Sequence, residues 1–178
     1  YGVACGEKNV LFTNNDSAYE TAISLYQKGI NIEAIIDNRE EIDSKLIKET
    51  EKNNIKVYKG YTVVDTSGYK RINKVSIMQL SKDGQKAIGS KISISCDCLG
   101  ISGGWTPAVH LFTQSGGKLK FRDEDQVFIP NIYPSDQISI GSCNGDFTLD
   151  EILSTVPKTL KEFLNLKKID YEALEIKS

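Results

Sequence analysis

Apolar positions fall into short runs separated by polar turns, and their spacing switches between the two-residue repeat of a strand and the 3.6-residue repeat of a helix. Asn9 to Thr13 (NVLFT) is a strand-forming run that breaks into the polar knot Asn14-Asn15-Asp16-Ser17. Ser17-Ala18-Tyr19-Glu20 fits a capping box, and Ala18, Ala22, Leu25 and Tyr26 recur at helical spacing up to Gly29, which predicts a capped helix. Ile32 to Asp37 (IEAIID) is a second apolar run, closed by an acid. Glu40 to Asn53 sets Ile42, Leu46 and Ile47 on one face of a charged helix, and Ile55 to Val64 returns to strand character. This strand-helix alternation predicts a parallel sheet with right-handed crossover helices.

Beyond Val64 the texture changes. Arg71 to Leu80 and Ala87 to Cys96 flank Lys82-Asp83-Gly84-Gln85, whose Asp-Gly predicts a hairpin and hence an antiparallel ribbon crossing the sheet. Cys96 to Ile101 runs apolar into Ser102-Gly103-Gly104-Trp105-Thr106-Pro107. Pro107 to Ser115 reads as a short helix, Gly116-Gly117 as a break, Asp123-Glu124-Asp125 as a solvated turn, and Val127 to Ile129 and Gln137 to Ile140 as short strands. Leu149, Ile152, Leu153, Val156, Leu160, Phe163 and Leu164 predict a closing amphipathic helix that Pro157 would kink. The expected fold class is α/β, a Rossmann-like three-layer domain with a parallel sheet and an antiparallel crossover ribbon.

Composition narrows the function. The 178 residues are 39% hydrophobic and 26% charged, as in ordinary globular proteins. Lys and Arg number 22 against 24 Asp and Glu, so no electropositive footprint suits a phosphate backbone, and nucleic acid is not an expected partner. No apolar run approaches the roughly 18 residues of a membrane span, so no membrane partner is expected either. No signal peptide opens the chain, and reduced thiols in a cytoplasmic setting are the expectation. Met78 is the only methionine and the chain begins at Tyr1, which reads as a processed or excised piece.

Of the four cysteines, Cys5, Cys96, Cys98 and Cys143, none forms a C-x-x-C redox pair or a zinc pattern. Cys96-Asp97-Cys98, taken as a strand, points both thiols to one face as small buried hydrophobes. His110 is the only histidine, which excludes two-histidine metal sites; it reads as a hydrogen-bonded partner within the fold.

Two segments carry candidate chemistry. The first strand-turn-helix has the layout of a dinucleotide site: a helix start that could take a phosphate, and Asp37 placed 24 residues after Thr13, near the roughly 20-residue offset of a ribose-binding acid. The glycines of G-x-G-x-x-G are replaced by Thr13-Asn14-Asn15-Asp16-Ser17-Ala18, and a carboxylate at the helix start opposes an anion. The alternative is a degenerate Rossmann half in which Asp16 or Ser17 caps the helix. The second segment is Gly141-Ser142-Cys143-Asn144-Gly145-Asp146, where Asp146 faces a ribose or diphosphate-linked group or simply caps the last helix. Trp105 is either a ring-stacking residue or a core or interface anchor.

The run from Gly100 to Leu119, GISGGWTPAVHLFTQSGGKL, closely resembles a segment of the alpha subunits of heterotetrameric sarcosine oxidases. The turn Thr13 to Tyr19 and the stretch Gly141 to Glu151 resemble the same family. The resemblance implies an internal fragment of a unit similar to pyridine nucleotide-disulfide oxidoreductases. Residues 1–100 would form an inserted Rossmann-like (NAD-type) domain, and residues 101–178 the crossover and closing part of an adjoining FAD/NAD(P)-binding-like domain. It implies NAD as cofactor of the full subunit, with Asn15, Asp16, Ser17, Asp37, Gly103, Gly104, Trp105, Thr106, Gly145 and Asp146 as the cofactor-binding candidates. No catalytic residue and no metal ligand is assigned. The implied activity is oxidation of sarcosine to glycine with formation of hydrogen peroxide and transfer of the one-carbon unit to tetrahydrofolate. The implied partners are beta, gamma and delta subunits, and the fragment alone is expected to be inactive. A degenerate Rossmann scaffold for subunit assembly is the alternative. A stand-alone NADH reductase finds no flavin fingerprint and no redox cysteine pair.

Overall fold

The sheet that opens the chain is built from β1 (Asn9–Thr13), β2 (Ile32–Asp37), β3 (Lys56–Lys59) and β7 (Cys98–Ser102) in the order β3-β2-β1-β7, with every pair parallel. The computed structural model describes residues 2–42, 44–134 and 137–164. Residue 1 and residues 165–178, assigned above to the two expected domains, lie outside the described residues. The chain divides into two compact units, one reaching to Gly104 and one beginning at Trp105.

In the first unit α1 (Ser17–Gln27) and α2 (Ser44–Lys52) link the parallel strands. Their apolar faces bury Tyr19, Ala22, Ile32, Ile35 and Ile55, with Leu11, Leu25, Leu46 and Ile47 packed alongside. The opposite sheet face buries Val10, Ile36, Val75, Ile77 and Cys96. Val75 and Ile77 belong to a second sheet, β4 (Tyr61–Gly68), β5 (Ile72–Leu80) and β6 (Ala87–Ser95), antiparallel in that order. Helices, parallel sheet and antiparallel ribbon therefore form the expected three layers. A bulge makes the register work: Asn9 pairs with Ile32 but Val10 with Ala34. The extra residue lets Ile32 and Ile35 share the helix-side core, while Ile36 turns to the ribbon.

Several boundaries differ from the sequence expectation. The run Ile55 to Val64 is not one strand, because Gly60 takes φ +68° and hands the chain from β3 to β4 in the other sheet. Its N–H donates to Arg39 O at 3.0 Å, and its carbonyl accepts from Leu80 N at 2.7 Å. The helix expected from Glu40 begins at Ser44. The capping box at Ser17 does not form: Asp16 holds the N-cap position without a side-chain capping bond. At the other end Gly29 adopts φ +83° and lets Ile30 N close on Leu25 O at 3.1 Å, the expected glycine stop.

The second unit contains α3 (His110–Gln114), the antiparallel hairpin β8 (Lys118–Arg122) and β9 (Val127–Ile132), a 3-10 turn at Gly141–Asn144, and α4 (Leu149–Phe163). Strand β8 was not foreseen, and Gln137 to Ile140 is irregular chain rather than a strand. Asp146 does not cap α4. Thr148 does, with a capping box in which Glu151 N donates to Thr148 Oγ1 at 3.2 Å and Thr148 N to Glu151 Oε2 at 3.1 Å. Phe112 anchors α3, buried against Tyr133 at 5.0 Å between ring centres.

Candidate functional site

At the carboxyl ends of β1, β2 and β7, where an open α/β sheet holds its ligand at a switch in strand order, the loop after β1 is tied down by its own side chains. Thr13 Oγ1 accepts from Asn15 N and donates to Asn15 O, both at 3.1 Å. Asn15 Nδ2 donates to Ser102 O at 3.0 Å and to Ser102 Oγ at 3.1 Å, bridging the ends of β1 and β7. Ser17 Oγ donates to Asn15 Oδ1 at 2.6 Å. Gly104, at φ +95°, lies over the same turn, near enough that a Cβ on it would stand 3.8 Å from Asn14 Oδ1. A side-chain strut thus ties the loop after β1 to the end of β7, at the position where a dinucleotide fold would bring its pyrophosphate.

The acid after β2 is equally committed. Asp37 is fully buried. Its Oδ1 accepts from Arg39 N at 2.9 Å and Arg39 Nε at 3.1 Å, and its Oδ2 accepts from Tyr19 Oη at 3.0 Å and Arg39 Nη2 at 2.8 Å. A carboxylate offers about four lone-pair sites, and these four donors fill them. Burial first, and then the charge on Asp37, holds the Tyr19 phenol far above its ordinary range. The hydrogen bond to Asp37 pushes the Arg39 guanidinium further up still. Arg39 Nη2 also reaches Asp16 Oδ1 at 2.7 Å, so one guanidinium clamps the carboxylate at the start of α1 and the one at the end of β2.

These residues do not fit a dinucleotide. Ribose hydroxyls would find Asp37 saturated and inaccessible, and phosphate would meet the Asp16 carboxylate instead of glycine N–H groups. The structure brings Asn15, Asp16, Ser17 and Asp37 together as expected, yet as partners of one another and of Arg39, Tyr19 and Ser102. Sequence reasoning missed Arg39 and Tyr19. The available signal was a cation two residues after the acid and an aromatic on the buried face of α1.

In the second unit Trp105 and Thr106 are exposed, so Trp105 is no core residue there. Gly103, in the first unit, has open space where a Cβ would stand. His110 is exposed at the start of α3, not packed within the fold. Gly145 takes φ +89°, and a Cβ on it would lie 2.7 Å from Arg122 Nη2 and 3.2 Å from Ile129 Cγ2. Arg122 Nη2 donates to Gly145 O at 3.2 Å and pairs with Asp125 at 2.5 Å. Half-buried Asp146 follows, its Oδ2 accepting from Thr155 Oγ1 at 3.2 Å. Here a glycine required by its backbone presents a partly accessible carboxylate before a helix, which is compatible with hydroxyl donors. Among the described residues no group of His, Cys, Asp and Glu could hold a metal ion. None of their helices is long and apolar enough to cross a membrane.

No protein-family model matches the chain. It is 32% identical over 157 residues to the sarcosine oxidase subunit alpha of Corynebacterium sp. (strain P-1), covering 87% of this chain and 16% of that protein. It is 29% identical over 135 residues to the subunit alpha of Rhizobium meliloti (strain 1021), covering 72% and 12%. The chain therefore spans about 16% of the length of the first relative. Among solved structures, the HOCl-induced flavoprotein disulfide reductase RclA from Escherichia coli matches with TM-score 0.57 at 11% identity, over 90% of this chain and 36% of that one. The T. acidophilum thioredoxin reductase matches with TM-score 0.53 at 20% identity, over 78% and 48%. At such identities these two share a fold.

Proposed function

The chain is related to one segment of the sarcosine oxidase alpha subunit, and from that kinship we propose that it is a nucleotide-fold segment of such a subunit. In this reading it belongs to an oxidoreductase complex with beta, gamma and delta subunits. The complex oxidises sarcosine to glycine, forms hydrogen peroxide and passes the one-carbon unit to tetrahydrofolate. The observation that carries the reading is the 32% identity across 87% of the chain. The test is to purify the full-length protein bearing this sequence with its co-expressed partners and to assay sarcosine-dependent peroxide. A complex that retains flavin but forms no peroxide with sarcosine would count against it.

Within the subunit, the two units play different parts. Residues up to Gly104 serve as a scaffold, a reading favoured by the saturation of Asp37 and by the Asn15 strut. Gly145 and Asp146 help to close a dinucleotide site completed by parts of the subunit outside this segment; NAD is the cofactor the family resemblance suggests. A second reading, FAD in that place, is favoured by the flavoprotein among the fold relatives. Chromatography of the dinucleotide released from the denatured subunit separates the two. Asp146→Ala should lower the amount retained, while Asp37→Asn should leave the retained fraction per folded subunit unchanged.

A further inference from the structure

The C-x-C of the linker between the ribbon and the closing strand does not act as a pair. Strand β6 ends at Ser95 and β7 begins at Cys98, so Cys96 lies between the strands and Cys98 opens the second, and the two residues differ in burial. Cys96 is buried in the core between the sheets, where desolvation holds its thiol up. Cys98 is only half-buried and lies against the segment ahead of β1.

That segment is fastened to the linker by four bonds. Asp97 accepts from Glu7 N at 3.0 Å and Lys8 N at 2.8 Å, while Asp97 N and Cys98 N donate to Lys8 O at 3.0 and 3.3 Å. The clamp draws Gly6 so close that a Cβ on it would lie 2.6 Å from Cys98 Cβ. Cys5 is the next residue, exposed to solvent. Cys5 directly precedes Gly6, so the clamp sets its backbone one residue from the contact between Gly6 and Cys98, and the Cys98 thiol is raised first by burial and then by Cys5. Cys5 is open to small oxidants, whereas Cys98 is half-buried.

We propose that Cys5 and Cys98 form an oxidisable thiol pair, in which a hydroperoxide converts the two thiols into a disulfide joining the segment before β1 to β7. The exposed Cys5 sulfur, as thiolate, attacks one peroxide oxygen; the O–O bond breaks, giving a sulfenic acid and hydroxide, which takes up a proton to become water. Cys98 sulfur then attacks Cys5 sulfur, the S–S bond forms, the S–O bond breaks, and the departing hydroxide leaves as water with the Cys98 proton. Two thiols lose two electrons in total and one hydrogen peroxide is reduced to two waters. Cys98 is the slower first attacker because its thiol is held up, so it resolves the sulfenic acid formed at Cys5. The Asp97 clamp holds the two partners together.

The full-length protein bearing this sequence is treated with hydrogen peroxide, blocked with a thiol alkylator, digested without reductant and mapped by mass spectrometry. The expected product is a peptide linking Cys5 to Cys98, two hydrogen masses below the sum of its parts and split by dithiothreitol, with Cys96 still alkylated. Cys98→Ser should leave Cys5 trapped as a sulfenic acid, captured by dimedone. Sulfinic or sulfonic acid at Cys5 in the parent protein, a Cys5-to-Cys5 link between molecules, or an alkylated Cys98 after peroxide treatment would each overturn the proposal.

Discussion

Arg39 Nη2 lies 2.8 Å from Oδ2 of Asp37, a carboxylate that has no contact with solvent and whose remaining acceptor positions are taken by Tyr19 and by Arg39 itself. Removing that carboxylate strands a buried phenol and a half-buried guanidinium. Asp37→Ala is expected to destabilise the fold by about 3 kcal/mol, the range for breaking one side of a buried ion pair. Because Arg39 retains Asp16 and some solvent, the cost should stay at the lower end of that range. Urea unfolding with an unchanged slope and a lowered midpoint is the check.

Tyr19 makes the same network sensitive to alkali. Burial and the adjacent Asp37 raise its folded-state pKa above the ordinary tyrosine value of about 10. Between those two values the unfolded chain releases the phenolic proton and the folded chain keeps it. Stability should therefore be unaffected by this group below about pH 10 and fall as pH rises beyond it. Tyr19→Phe should cost about 1 kcal/mol at neutral pH through the lost hydrogen bond, and should flatten this alkaline decline. Unfolding midpoints measured from pH 8 to 11 in both proteins decide the matter.

The layers of the first unit were legible because the short apolar runs Asn9 to Thr13 and Ile32 to Asp37 alternate with segments of helical spacing and Asp83-Gly84 announces its own turn. What periodicity could not show was Gly60, where an unbroken apolar run changes sheets through one positive φ, and the bulge in β2, which alters facing without altering composition. The position of the acid Asp37 was equally legible, but its role was not. A ribose acid and an internal counter-ion look alike in sequence, and only the placement of Arg39 and Tyr19 separates them. Likewise Asp146 and Thr148 are both good caps, and the capping box with Glu151 selects Thr148.

Gly145 offers a test in the second unit. At φ +89° a side chain is strained, and a Cβ would press on Arg122 Nη2 and Ile129. Gly145→Ala should cost about 1–2 kcal/mol and disturb the Arg122–Asp125 pair. Loss of melting temperature together with shifted amide resonances at Arg122 and Asp125 is the expected outcome. A silent variant would mean that the backbone at this position relaxes to negative φ.

The crevice above β1 and β7 gives the sharpest contrast between a scaffold and a binding fold. The parent protein, titrated with NAD, should show no amide shifts from Thr13 to Tyr19, because Asn15 spans to Ser102 and Asp16 sits where phosphate would dock. Replacing both, Asn15→Gly with Asp16→Gly, removes the strut, frees one arm of Arg39 and opens backbone N–H groups at the start of α1. Amide shifts should then appear in that turn. Affinity should stay weak, of millimolar order or about −4 kcal/mol, since Asp37 remains saturated and contributes nothing to a ribose. Shifts centred on Asp37 in the parent protein would mean instead that NAD competes successfully with Arg39 and Tyr19, and would return this turn to the binding class.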